Sequence, residues 1–141
     1  DVSLNQSLLT TSAPTFDDLT ITDDVTVGGD IAIAGTAMAQ NSQSAAYTTV
    51  AADANKHILH PTADNNARTF TIDSNANVPY ALGTMITFIN EINTLTIAIT
   101  SDTLVLAGAG STGSRTLGVM GIATAVKKTS TSWIISGTGL T

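Results

Sequence analysis

The sequence contains no cysteine, so neither a disulfide nor a thiolate metal site can form within it. Charged side chains make up 11% of the 141 residues and aromatic side chains 4%, and there is a single glutamate, Glu91. Because charged residues average roughly 25% of soluble proteins, short neutral side chains must cover much of this surface. Threonine, serine, alanine and asparagine take that place, and threonine in particular suits a pleated sheet.

Basic residues are also scarce, and this excludes the commonest way of binding nucleic acid. The chain has five Lys and Arg against eleven Asp and Glu, which gives a formal net charge of -6. Only Lys127 and Lys128 are adjacent, whereas phosphate recognition needs clustered cations. We therefore expect no nucleic-acid partner. Since no apolar run approaches the ~18 residues of a membrane span, we also expect no membrane insertion.

A six-residue repeat occupies residues 19–36, which we interpret as an extended β arm. Each unit pairs two aliphatic residues with turn-forming residues, as in Val-Thr-Val-Gly-Gly-Asp. Residues two apart on a strand share one face, and a short unit cannot bury that face alone. The arm therefore predicts stacking, either as a solenoid within one chain or intertwined in a homotrimer, with an inter-chain core of Leu19, Ile21, Val25, Val27, Ile31 and Ile33.

The segments on either side of the arm have different compositions. Residues 1–18 are polar with scattered apolar side chains, and we interpret them as an anchor that orders on contact with another surface. The anchoring side chains would be Leu4, Leu8, Leu9 and Phe16. Residues 37–46 are small and polar, which favours a linker.

Residues 47–141 contain a succession of short alternating runs, which predicts a single all-β domain. The runs cover residues 47–50, 68–72, 84–89, 95–100, 104–106, 122–126 and 133–135. Their length and spacing favour an antiparallel, jelly-roll-like β-sandwich, with residues 91–93 as a hairpin connection. Within this domain Trp133 is expected to fill the core.

Motifs that would indicate a nucleotide-binding, metal or catalytic site are weak. Gly108, Gly110 and Gly113 spell GxGxxG, but the following residues alternate like a strand, so we expect a loop and no nucleotide site. His57 and His60 would lie on opposite faces of a strand, and a metal site would need a trimer axis to repeat one of them. The neighbouring carboxylates in the arm lie on a structural repeat. We therefore expect no enzyme, no cofactor and no metal.

Aromatic side chains offer one alternative function. A glycan-binding module would need an exposed aromatic platform, for which Trp133 and Tyr80 are the candidates.

Two stretches resemble tailed-bacteriophage virion proteins. Residues 13–29, APTFDDLTITDDVTVGG, are similar to the start of phage fibre and head-decoration proteins. The segments GTMITFIN, STGSRTL, GIATAVK and SWIISGTGL resemble a β domain that ends phage virion proteins. The resemblance implies a homotrimer on the exterior of the virion, fastened by its N-terminal region to a capsid or tail protein. A capsid-decorating or head-fibre protein is the expectation, and the alternative is a tail fibre that attaches to a host surface glycan.

Overall fold

The computed structural model describes residues 37–141, and this part of the chain consists almost entirely of β-strands. These residues belong to one compact unit. The strands are β1 (Gln40–Ser42), β2 (Tyr47–Thr48), β3 (His57–His60), β4 (Arg68–Ile72), β5 (Met85–Asn90), β6 (Leu95–Ile99), β7 (Thr103–Leu106), β8 (Arg115–Thr129) and β9 (Ser132–Leu140). One turn of 3-10 helix, Ala51–Asp53, lies between β2 and β3. The predicted all-β class is confirmed.

The first six strands form two parallel ladders, between which the chain alternates. Strands β1, β3 and β5 pair in parallel to form the first ladder. Strands β2, β4 and β6 form the second ladder in the same way. Each odd strand is followed by an even strand of the other ladder, so every pair of strands makes one turn of a flattened, solenoid-like coil. Buried side chains of both ladders, such as Phe88 and Phe70, belong to one hydrophobic core.

The C-terminal strands close the end of this coil. Strand β8 pairs antiparallel with β6 through residues 115–117 and with β5 through residues 121–126, so it reaches both ladders. The register shifts between Leu117 and Ile122, and Met120 lies in this bend with a φ of 57°. Strand β9 then pairs antiparallel with β8, and β7 adds to β9 in parallel. The long β8–β9 hairpin thereby covers the edge of β5.

Strand pairing differs from the predicted antiparallel sandwich. Residues 91–93 connect β5 to β6 but do not form a hairpin, because β5 pairs with β3 and β8 whereas β6 pairs with β4 and β8. The reason is physical: side chains alternate across a strand with a period of two whichever way its neighbours run. The alternation of apolar and polar residues therefore indicates where strands lie, but it does not indicate whether neighbouring strands run parallel or antiparallel.

The folded unit also begins earlier than predicted. Strand β1 falls inside residues 37–46, where a linker was expected, and is held by its pairing with β3. The predicted anchor, residues 1–18, and the predicted arm, residues 19–36, lie outside the described residues.

Two predictions inside the domain are confirmed. Trp133 is fully buried in the core. The glycine segment 108–113 connects β7 to β8 without a helix, and Gly108, Gly110 and Gly113 all have positive φ, which glycine adopts without steric cost.

Candidate interaction surface

The outward side of the first ladder and of the strands added to it is unusually apolar. Alternate residues of these strands are buried in the core, so the residues between them lie on the outward side, where most are partly or fully exposed and Thr87 is buried. Strand register arranges the outward residues in three rows, which we call the aliphatic face. The first row is Val105, Ile134, Val126 and Met85; the second is Ser136, Thr124, Thr87, His57 and Gln40; the third is Thr138, Ile122, Ile89, Leu59 and Ser42.

Charge is absent from these rows, although the chain carries a net charge of -6. The first row is wholly apolar, and the third has aliphatic side chains between a threonine and a serine at its ends; Met85 is 44% exposed and Ile122 48%. In the row between them, Thr87 and Thr124 pair their hydroxyl groups at 2.9 Å. At the adjoining bend of β8, Val119 and Met120 are more exposed still. Partly exposed aliphatic side chains gathered on one side of a sheet in this way are typical of a contact site.

The outward side of the second ladder is different, and we call it the threonine face. Its residues are Thr48, Thr69, Thr71, Thr96, Ala98 and Thr116, placed by the register of β2, β4, β6 and β8. The hydroxyl groups repeat at the spacing of strands in one direction, about 4.8 Å, and at two residues in the other, about 6.7 Å. This face offers a regular polar lattice.

A polar network joins the two ladders at the β1 and β2 end of the coil. Asn41 Nδ2 donates to Asp53 Oδ1 at 2.8 Å and to the Tyr47 hydroxyl at 3.1 Å. The Tyr47 hydroxyl donates to Asp53 Oδ2 at 2.7 Å, which also accepts the Val50 N–H. Burial, followed by the hydrogen bond to the Asp53 carboxylate, raises the pKa of Tyr47. Each member has a partner, so this network has a structural role.

A second polar network, centred on His60, supports the bend of β8. The His60 ring is fully buried, with Nδ1 2.7 Å from Asn90 Oδ1 and Nε2 3.3 Å from Asp64 Oδ2. The Asn90 amide nitrogen donates to carbonyl groups of Asn93, Leu117 and Gly118, so its oxygen must accept from the histidine. The network therefore ties β3 and β5 to the bend of β8, next to the aliphatic face.

Asp64 is the titratable group of this network whose protonation at low pH should destabilise the fold. The Arg68 guanidinium, which donates to Asp64 Oδ1 at 2.9 Å, is the largest cause that holds the pKa of Asp64 well below its ordinary value of 3.8. A carboxylate with a lowered folded-state pKa stabilises the fold above its ordinary pKa and loses that contribution as pH falls.

We expect Asp64→Asn to lower the stability at pH 7 and to flatten the decline in stability below pH 3.8, the ordinary pKa of this carboxyl. Urea unfolding followed by the fluorescence of the single tryptophan, Trp133, measures both effects. Asp73→Asn is the comparison variant: the pKa of Asp73 is also lowered, but by neutral partners, chiefly Asn77, so we expect the same two effects to be smaller than in Asp64→Asn. Equal pH profiles for wild type and Asp64→Asn would contradict the assignment.

The two residues considered for sugar binding are both buried. Trp133 has no exposed surface, and Tyr80 is 6% exposed and packs edge-on against Trp133 with ring centroids 5.4 Å apart. The Tyr80 hydroxyl donates to the Val50 carbonyl at 2.7 Å, and burial raises the pKa of Tyr80 to about 12. A shallow pocket of about 330 Å³ lies beside Tyr80, between residues 51–55 and 78–84. Neither ring presents a face on which a sugar can stack.

His57 and His60 lie on opposite faces of β3, as predicted, because they are an odd number of residues apart. His57 is on the aliphatic face, where its Nε2 lies 3.0 Å from the Gln40 side chain. Within residues 37–141 no three His, Asp or Glu side chains gather into a group that would hold a metal ion. The same residues include no helix long and apolar enough to span a membrane.

The aliphatic face was missed at the sequence level, although its signal was there. Val126, Thr124 and Ile122 alternate with Ala125 and Ala123 along β8. This alternation shows which residues share one side of the strand. It does not show that the small alanines face the core while the larger aliphatic residues face outward.

Comparison with known proteins adds no relative: no family model, no curated protein and no solved structure matches the chain.

Proposed function

We propose that this protein is a structural component of a phage virion, a homotrimeric decoration or head-fibre protein attached to the capsid through its N-terminal region. The observation that carries the proposal is the aliphatic face, a charge-free surface with exposed Met85 and Ile122 on a chain of net charge -6. The phage assignment itself rests on the sequence resemblance.

The aliphatic face favours a second copy of the same chain over a charged partner. Copies of an acidic chain repel one another wherever their carboxylates meet, and a surface without charge avoids both that repulsion and the desolvation of charges. Apolar side chains flanking a row of hydroxyl groups also match the composition of stable interfaces, whose cores are depleted of charge. Identical subunits joined in this way form closed symmetric assemblies.

Three copies is the stoichiometry that the hexad arm favours. Six branched aliphatics, at roughly 1.5–3 kcal/mol each when buried, do not offset the ~1–2 kcal/mol per residue that ordering an isolated arm costs. Three arms sharing one core would bury Leu19, Ile21, Val25, Val27, Ile31 and Ile33 and pair their backbone edges. The arm would then supply trimerisation and residues 1–18 attachment, while the aliphatic face adds contacts between domains.

A second function is favoured by the threonine face. Regularly spaced hydroxyl groups such as those of Thr69 and Thr96 match the hydrogen-bonding groups of an extended polysaccharide. A tail-fibre protein that attaches to a host surface glycan would use this face, not Trp133 or Tyr80.

Immunogold electron microscopy of phage particles whose genome encodes the chain separates these functions. An antibody raised against residues 37–141 should label the outside of the head. Labelling confined to the tail supports the adhesion function, and particles that carry the protein but show no external label would overturn both. Deletion of residues 1–18 should abolish labelling of the head while leaving the β-sheet circular dichroism of the purified protein unchanged.

A further inference from the structure

A lysine lies inside the core at the end where β8 and β9 meet. The side chain of Lys127 has no exposed surface, because β8 directs residue 127 inward together with Ala123 and Ala125. Its Nζ has no hydrogen-bond partner among the described residues. A buried ammonium without hydrogen bonds is costly, so this side chain requires an explanation.

Two groups face the lysine nitrogen. The Trp133 ring covers it, with the ring centroid 5.2 Å from Nζ. The second group is the carboxyl group of Asp102, with Oδ2 3.6 Å from Nζ and the side chain 5% exposed. Oδ2 is already engaged, since it accepts the backbone N–H of Asn75 at 3.1 Å. The amine and the carboxyl group therefore lie close together, both largely buried, beside the Trp133 ring.

The backbone holds both residues in place. The Lys127 N–H donates to the Thr84 carbonyl at 2.9 Å, and its carbonyl accepts the Gly83 N–H at 2.8 Å. Asp102 directly precedes β7, whose first residue, Thr103, donates to the Thr131 carbonyl at 2.8 Å. Such fixed proximity of two reacting groups raises their effective concentration by orders of magnitude.

We propose that Lys127 and Asp102 form an intramolecular isopeptide bond in the folded protein. Proton transfer from the ammonium to the carboxylate gives the amine and the carboxylic acid. The Nζ lone pair then attacks Cγ, with the Asn75 N–H polarising the bond from Cγ to Oδ2. A nitrogen–carbon bond forms, the other carboxyl oxygen leaves with two protons as water, and the product is a neutral amide, with no oxidant or cofactor required.

The cross-link removes the problem that the buried lysine poses. An amide carries no charge to bury, and its oxygen keeps the hydrogen bond from Asn75. The bond joins the segment before β7 to β8 and closes a covalent loop of residues 102–127, which contains β7 and most of β8. In a chain without cysteine it supplies the covalent constraint that a disulfide would otherwise give.

Intact mass spectrometry of the purified full-length chain tests the proposal. The folded wild type should be lighter than its sequence by one water molecule, and trypsin should fail to cleave after Lys127. Tandem spectra should show the peptides that contain residues 102 and 127 joined. Lys127→Arg should have its full sequence mass, whereas Lys128→Met, which replaces an exposed neighbour, should still lose one water.

Asp102→Asn gives a second, independent readout. Its carboxamide would release ammonia in place of water, so the product should have the same mass as cross-linked wild type. If folded wild type has the full mass of its sequence, with peptides 102 and 127 separate, the pair is an ordinary ion pair and the proposal is wrong. Neither result depends on the virion assignment.

Discussion

Gly137→Ala is expected to destabilise the domain by about 3 kcal/mol or more, enough to lower its melting temperature by more than about 10 °C. Gly137 lies opposite Ala123 in the β8–β9 ladder. A Cβ atom at this position would lie 2.1 Å from the Ile122 carbonyl oxygen and 2.5 Å from the Ala123 Cα. Both are backbone atoms of the neighbouring strand, so the hairpin must open to make room.

Gly118→Ala is the matched control for that substitution. It adds the same methyl group within the same hairpin, but the nearest atom, the Gly139 carbonyl oxygen, would lie at an ordinary 3.6 Å. We expect its stability to stay within about 0.5 kcal/mol of wild type. Thermal unfolding followed by circular dichroism measures both variants. Equal melting temperatures for the two variants would contradict the close approach of β8 and β9 at Gly137.

Ile122→Glu is expected to weaken self-association of the full-length chain by at least about tenfold. Ile122 is 48% exposed in the third row of the aliphatic face, so the carboxylate should not disturb the core. In an oligomer built on this face, each subunit would bring one new carboxylate into an apolar contact between acidic chains. Desolvation and like-charge repulsion would then act together.

Thr116→Glu adds the same charge to the threonine face, where Thr116 is exposed on the N-terminal part of β8. We expect no change in its self-association. Light scattering over a dilution series gives the dissociation of wild type and of both variants. Identical curves for Ile122→Glu and Thr116→Glu would exclude the aliphatic face as the contact.

Much of the strand content could be predicted from the sequence, because alternation survives wherever one face of a strand is buried. Residues 68–72 and strand β4 coincide, and residues 95–100 differ from β6 by one residue. Strand β3 was missed because His57 and His60 interrupt the apolar pattern, although His60 is buried, with its ring nitrogens beside Asn90 and Asp64. The residues that follow the glycine segment alternate like a strand, but the predicted run begins only at Ile122, because Gly118 and Gly121 interrupt the pattern before it.

Pairing between strands could not be predicted in the same way. Parallel strand pairs can usually be recognised in a sequence by the long crossover connections between them, which are commonly helices. Here the strands of the opposite ladder serve as the crossovers, so β4 carries the chain from β3 to β5. Short strands with short connections resemble hairpins in sequence, which is why a sandwich was expected.

The buried lysine shows a related difficulty. Lys127 was noted only as a basic neighbour of Lys128, yet it shares its parity with Ala123 and Ala125, which face the core. The alternation therefore did place it inward. Its proximity to Asp102 comes from the β7–β9 pairing, a contact between distant parts of the chain that no local pattern encodes.

The solution mass of the full-length wild-type chain, measured by light scattering, tests the central claim of a self-assembling structural protein most directly. We expect a trimer of about 43 kDa, three times the 14.4 kDa of one chain. Deletion of residues 1–36 should reduce the number of chains in the assembly, since it removes the hexad arm that joins them. A full-length chain that stays at 14.4 kDa at every concentration would contradict the account.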